Sequence, residues 1–133
     1  MIESSLAQNG YENSRQSTGD GRGVEYQLLA RVTRELSEAD KDAPDFLVRQ
    51  AQALHNNLKL WTKLAIDVAH EGNGLPQELR SNLFYLAEFT RHHTSKVFNR
   101  EADANILVEI NTSVMRGLRA QTTQNAHIDG AVA

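Results

Sequence analysis

The sequence predicts an all-α fold, a small bundle of about four amphipathic helices. Apolar residues recur at intervals of three and four along most of the chain, as they do on one face of a helix. Short stretches with helix stop and start residues separate these periodic segments. No stretch shows the strict apolar–polar alternation of a half-buried strand. With 133 residues, the chain has the size of one domain.

The periodic part lies between two polar ends. Residues 1–22 are rich in Gly, Ser and Asn and show no sustained period, so we expect a flexible N-terminal segment. Residues 121–133 have a similar character and predict a flexible tail. The helical domain is therefore expected over residues 23–120.

The first two helices are predicted at about residues 24–39 and 44–70. The second carries an unbroken heptad-like row of apolar residues, which are Leu47, Ala51, Leu54, Leu58, Trp61, Ala65 and Val68. A second row beside it, formed by Phe46, Ala53, Leu60 and Leu64, widens the apolar face. A helix that is apolar over so wide an arc must contact neighbours on two sides, so we expect it to be central.

The segment HEGNGLP at residues 70–76 predicts a tight turn between two antiparallel helices. Gly72 is expected to end the second helix in the left-handed conformation, which glycine adopts without a Cβ penalty. Pro76 suits the first turn of the third helix, where its missing N–H has no helical partner.

The third and fourth helices are predicted at about residues 76–97 and 101–119. The apolar face of the third consists of Leu79, Leu83, Leu86 and Phe89, with Phe84 and Val97 beside it. That of the fourth consists of Ile106, Leu107, Ile110, Val114 and Leu118.

Composition excludes several classes of protein. The chain has no cysteine, which excludes disulfides, thiolate catalysis and cysteine-based zinc sites. No apolar run approaches the roughly 20 residues that cross a bilayer, and the first residues lack a secretory signal pattern. We therefore expect a cytoplasmic protein. The net charge of −3 argues against direct nucleic-acid binding, because such proteins more often carry a positive surplus.

The sequence predicts no enzyme, no cofactor and no metal site. The segment GDGRG at residues 19–23 lacks the preceding strand and the Lys-Ser/Thr ending of a phosphate-binding loop. Glu88 and His92 have metal-ligand spacing on a helix, as do Asp67 and His70. Each pair is more simply explained as surface polar residues, and a cationic His is favourable near a helix C-terminus.

Two residues leave alternatives open. Trp61 combines a large apolar area with one N–H donor, so it suits either the core or a binding hot spot. Asn111 interrupts an apolar strip. It is either a buried amide that needs hydrogen-bond partners or a group that contacts the backbone of a partner protein.

Several short motifs occur together in one order. They are a Leu-Trp pair on a helix, an acidic residue before a short turn, Asn-x-Leu-Pro and Leu-Arg, here Leu60, Trp61, Asp67, Asn73, Leu75, Pro76, Leu79 and Arg80. Later Ile-Asn and Gly-Leu pairs are Ile110, Asn111, Gly117 and Leu118, and upstream matches are Tyr11, Arg22 and Glu25. In combination these motifs resemble the FlaF family, flagellar biosynthesis regulators of alphaproteobacteria. The resemblance covers about residues 10–120.

The resemblance implies a small cytoplasmic protein that binds flagellin and supports its synthesis or export. FlbT and the flagellar export apparatus are further expected partners. A secretion chaperone would cover the apolar faces of flagellin helices that pair with each other only in the filament. We expect a partner helix to bind in a groove built around Trp61 and the hairpin of helices two and three. The partner-binding residues expected are Leu58, Trp61, Leu64, Leu75, Pro76, Arg80, Phe84 and Asn111.

An alternative is a post-transcriptional regulator of flagellin expression that acts with FlbT or directly on RNA. A locally basic region around Arg91, Lys96 and Arg100 is consistent with RNA contact. A helix C-terminus also favours cations for electrostatic reasons alone, so this region does not decide between the two functions.

Overall fold

The computed structural model describes residues 26–132, and the side chains of residues 26–120. Within these residues, four helices follow one another, which are α1 (Tyr26–Glu38), α2 (Phe46–Ala69), α3 (Gln77–Phe98) and α4 (Asn105–Val132). The described residues contain no strand, so the predicted all-α bundle is confirmed. The predicted flexible segment at residues 1–22 lies outside the described residues.

The main difference from the predicted helices concerns α4. It begins at Asn105, just after a local turn in which the Asp103 carboxylate accepts a hydrogen bond from the Asn105 N–H at 2.9 Å. It runs to Val132 rather than ending near residue 119. Between residue 119 and Gly130 the chain contains neither proline nor glycine, so no helix breaker stops it there.

The central position predicted for the second helix is confirmed. α2 packs against α3 on one side and against α1 on the other, and α4 packs mainly against α1. α3 and α4 make the sparsest contact of the neighbouring pairs. The helical hydrogen bonds of α3 begin with the Arg80 N–H, which donates to the Pro76 carbonyl. The short loop at residues 70–76 connects α2 and α3 into a hairpin.

The core has two clusters. The larger surrounds Trp61, whose side chain is 0% exposed, and includes Leu29 of α1, Leu83 of α3 and Leu118 of α4. The smaller lies toward the other end of the bundle, where Leu54 and Leu107 are its most deeply buried members. Leucine, valine and alanine supply most of this core, as the low aromatic content requires.

A chain of hydrogen bonds crosses the larger cluster. The Trp61 Nε1–H donates to Asn111 Oδ1 at 2.8 Å, and the Asn111 Nδ2–H donates to Asn57 Oδ1 at 2.8 Å. All three side chains are 0% exposed. The structure thus places Trp61 in the core and assigns Asn111 the role of a buried structural amide, the first of the two alternatives in each case. In this structure neither side chain has exposed surface for direct contact with a partner.

The C-terminus of α3 contains a non-glycine residue in the left-handed region. Arg100 has a φ of 61°. Its N–H donates to the Val97 carbonyl at 3.0 Å, and the Glu101 N–H donates to the Lys96 carbonyl at 2.8 Å. These two bonds form a Schellman motif, whose left-handed position is usually glycine. Arg100 therefore adopts a conformation that costs an L-residue about 1–2 kcal/mol.

Replacement of Arg100 by glycine should stabilise the protein. We expect Arg100→Gly to raise the free energy of unfolding by about 0.5–1 kcal/mol, since the relieved strain exceeds the extra backbone entropy of glycine in the unfolded chain. Asn99→Gly is the matched control, because Asn99 has an ordinary φ of −83° and the substitution should destabilise. Urea unfolding followed by circular dichroism measures both. Equal effects of the two substitutions would contradict this explanation.

Loss of the Asn111 amide should destabilise the core strongly. We expect Asn111→Ala to lower the free energy of unfolding by about 2–4 kcal/mol, because it removes the partner of the buried Trp61 indole N–H and of the buried Asn57 side-chain oxygen Oδ1. Ser113→Ala, at an exposed position of the same helix, should change it by less than about 0.5 kcal/mol. The fluorescence of the single tryptophan reports unfolding directly. A loss below about 1 kcal/mol in Asn111→Ala would show that the network contributes little.

Candidate functional site

The turn between α2 and α3 is held by side chains rather than by glycine. α2 ends at Ala69, and His70 is extended, with φ −74° and ψ 133°. Gly72 does not adopt the left-handed conformation expected for it. The Asn73 Nδ2–H instead donates to the Asp67 carbonyl at 3.1 Å, beside the His70 N–H, which donates to the same carbonyl at 3.3 Å at the end of α2.

Arg80 completes this arrangement from the first turns of α3. Its Nε–H donates to the Val68 carbonyl at 2.8 Å, and its Nη2–H donates to the His70 carbonyl at 3.0 Å. A cation at a helix C-terminus is favoured by the helix dipole as well as by these hydrogen bonds. Arg80 therefore ties the end of α2 to the start of α3.

The Asn73-x-Leu75-Pro76 segment turns the chain into α3. The Leu75 N–H donates to Asn73 Oδ1 at 2.9 Å, which forms a local turn, and the Leu75 side chain is buried in the larger core cluster. Pro76 lies at the N-cap position with φ −56° and is exposed. The turn motif thus has a complete structural explanation within the hairpin.

The eight residues predicted to contact a partner divide evenly by burial. Trp61, Leu64, Leu75 and Asn111 are buried, so in this conformation they support the hairpin and the core from within. The other four have surface available, with Leu58 and Arg80 half-buried and Pro76 and Phe84 exposed; these are the residues that remain as candidates for direct contact.

Two of these four candidates, Arg80 and Phe84, line a shallow depression between α2 and α3. Its volume is about 340 Å³, and it is lined by Val68, Ala69, Gln77, Arg80, Ser81 and Phe84. Phe84 is 45% exposed although it is a large apolar side chain. The depression offers apolar surface beside a guanidinium group.

Apolar residues extend this surface along α2. Leu47, Leu58 and Ala69 are each eleven residues apart, about three helical turns, so they share one side of the helix. Ala69 lines the depression, which identifies that side as the one toward α3. Leu47 is 57% exposed.

Residues of α3 extend the surface on the facing side. Phe84, Arg91 and Phe98 recur every seven residues and therefore lie on one stripe of the helix. Phe98 is 52% exposed. Because the hairpin is antiparallel and turns at residues 70–76, Leu47 and Phe98 belong to the same far end of it. We call the surface formed by Leu47, Leu58, Ala69, Phe84, Arg91 and Phe98 the outer groove.

Sequence reasoning did not identify Leu47 and Phe98 as site residues. The seven-residue spacing of Phe84, Arg91 and Phe98 was a usable signal. These three residues lie along the flank of the apolar face of α3 and not along its centre.

The histidines and acidic residues of α3 take part in ordinary surface contacts. Glu88 forms an ion pair with Arg91 at 3.0 Å. The His93 ring stacks on Phe89 with centroids 5.6 Å apart, and His93 Nε2 lies 2.9 Å from the Asp103 carbonyl oxygen. Among the described residues, no group of three or more His, Asp or Glu side chains could hold a metal ion. Within that part of the chain no helix is long and apolar enough to cross a membrane.

Comparison with known proteins identifies the family. Neither a curated protein nor a solved structure matches the chain. The family described as flagellar protein FlaF matches residues 7–118, which include α1, α2, α3 and the first half of α4. This chain therefore belongs to the FlaF family of flagellar proteins.

Proposed function

We propose that this protein is a flagellin-binding regulator and export chaperone that acts in the cytoplasm. It binds an apolar helix of unassembled flagellin along the outer groove and so supports flagellin synthesis and secretion. Membership of a flagellar family supports the cellular process. The observation that carries the binding mode is the exposure of large apolar side chains along the α2–α3 hairpin.

The outer groove has the features that helix recognition requires. Leu47, Phe84 and Phe98 are each about half exposed, which leaves apolar area in water until a partner covers it. Two antiparallel helices form a groove that accepts a third amphipathic helix, whose apolar residues at i, i+3, i+4 and i+7 enter it. Flagellin helices with uncovered apolar faces are suitable occupants. FlbT and the export apparatus would act with the resulting complex.

Direct regulation through RNA is the alternative. The charges of the described surface give it little support, because Arg91 is paired with Glu88, and the whole chain has a net charge of −3. A protein that binds RNA through phosphate contacts would lose affinity steeply as salt rises. Binding through the outer groove depends mainly on apolar contact and should change less with salt.

Truncation of Phe84 should weaken flagellin binding. We expect Phe84→Ala to reduce affinity about tenfold or more, because a half-exposed aromatic side chain in a groove is a typical binding hot spot. Purified flagellin of the same organism is titrated against the variant in isothermal calorimetry, after co-elution in size-exclusion chromatography has shown the wild-type complex.

Tyr85→Ala is the matched control for Phe84→Ala. Tyr85 is 68% exposed and adjacent to Phe84, but it points about 100° away around α3, outside the outer groove. It should bind flagellin as the wild type does, and circular dichroism should show both variants folded. Equal losses in the two variants would place the binding surface elsewhere. Separate elution of wild type and flagellin would contradict direct binding and favour regulation through FlbT or RNA.

A further inference from the structure

Arg80 holds its guanidinium group at the edge of the depression in a fixed orientation. The hydrogen bonds to the carbonyls of Val68 and His70 use two of its five N–H donors. The side chain is half-buried, and it lines the depression beside Phe84. The group is therefore already oriented, and three N–H donors remain for a further acceptor.

The charge on the lining of the depression is positive. Arg80 is the one charged residue among the six that line it. Glu78 is adjacent to Gln77 and Asp67 is adjacent to Val68, so each lies about 100° around its helix from a lining residue, and neither lines the depression itself. The C-terminus of α2 carries a partial negative charge and the N-terminus of α3 a partial positive one, and side by side in the hairpin these largely cancel.

The site combines this cation with apolar surface. Val68, Ala69 and Phe84 supply the apolar part of the lining, and Gln77 and Ser81 supply neutral polar groups. An occupant that matches both must carry an apolar side chain for the depression and an acceptor with negative charge for Arg80. A carboxylate meets the second requirement best, because guanidinium–carboxylate hydrogen bonds are charge-assisted and can be bidentate.

We propose that the depression recognises an amphipathic partner helix that carries an Asp or Glu one turn from an apolar anchor residue. The apolar anchor contacts Phe84, and the carboxylate accepts hydrogen bonds from Arg80. The inference rests on the proposed function of the hairpin as a helix-binding surface, and it adds a charge preference to that surface. Arg80 thereby has two roles, as the cap of α2 and as the residue that selects the partner.

Three synthetic peptides test the charge preference without any change to the protein. Each is an amphipathic helix of about 20 residues with leucines at i, i+3, i+4 and i+7. They differ only in the residue one turn from the central leucine, which is Glu, Gln or Lys. Fluorescence anisotropy with the full-length wild-type protein at about 50 mM salt, where screening is weak, measures the affinities.

The glutamate peptide should bind about three- to tenfold more tightly than the glutamine peptide, and the lysine peptide should bind most weakly. The difference should shrink at about 500 mM salt, since Arg80 is only half-buried. Equal affinities, a preference for lysine, or no binding of any peptide would overturn the proposal.

Two variants assign the preference to Arg80. Arg80→Gln should abolish the difference between the glutamate and glutamine peptides, whereas Arg80→Lys should retain a reduced difference because it keeps the charge. Circular dichroism checks that both variants remain folded. If either variant is destabilised, the affinities of the three peptides for the wild-type protein still test the charge preference. A preference for glutamate that persists unchanged in a folded Arg80→Gln variant would also overturn the proposal. Failure of the peptide series together with flagellin binding that depends on Phe84 would refute only the charge preference and leave the proposed function standing.

Discussion

The hydrogen bond from the Trp61 indole to the Asn111 amide determines how the two halves of the bundle fit together. α2 and α4 do not approach each other through their backbones in the described part of the chain, so this contact spans the core from one side to the other. The indole N–H and the amide must both find partners once they are buried, and few registers of α4 allow it. The second bond, from Asn111 to Asn57, ties the amide to a position one turn earlier on α2. These polar contacts thus specify the relative position of α2 and α4, and the apolar side chains of the two clusters pack in that arrangement.

The motif residues around the hairpin turn have a related role. Asn73 and Arg80 satisfy carbonyls at the end of α2, and Leu75 anchors the turn in the core. Such contacts keep α2 and α3 in a defined relative position, because four carbonyls at a helix end otherwise lack helical partners. A rigid hairpin is also a requirement for a groove between its helices. The residues that resemble the family motif thus support the outer groove from within the hairpin and do not line it, although Arg80 also lines the depression.

The exposed side chains of the outer groove connect the fold with the flagellar family to which the protein belongs. The bundle buries the centre of each apolar face and leaves the flank between α2 and α3 uncovered. Covering that flank with a partner helix would complete the packing of the hairpin, at an entropic cost of ordering the partner. A chaperone for unassembled helices requires this combination of a stable scaffold and an incomplete apolar surface.

The sequence by itself determined the helices, the position of the hairpin turn and the central place of α2. These features follow from apolar periodicity and from proline and polar residues near helix ends, which act over a few residues. It also indicated that Asn111 needs hydrogen-bond partners if it is buried, since burial of an amide without them costs free energy. The end of α4 was missed because a polar composition does not by itself stop a helix. Only the tertiary structure decided which predicted site residues are accessible: Trp61, Leu64, Leu75 and Asn111 are buried, whereas Phe84 is exposed. Periodicity shows which side of a helix is apolar, but burial depends on which other surfaces meet it, and that is set by contacts between residues far apart in the chain.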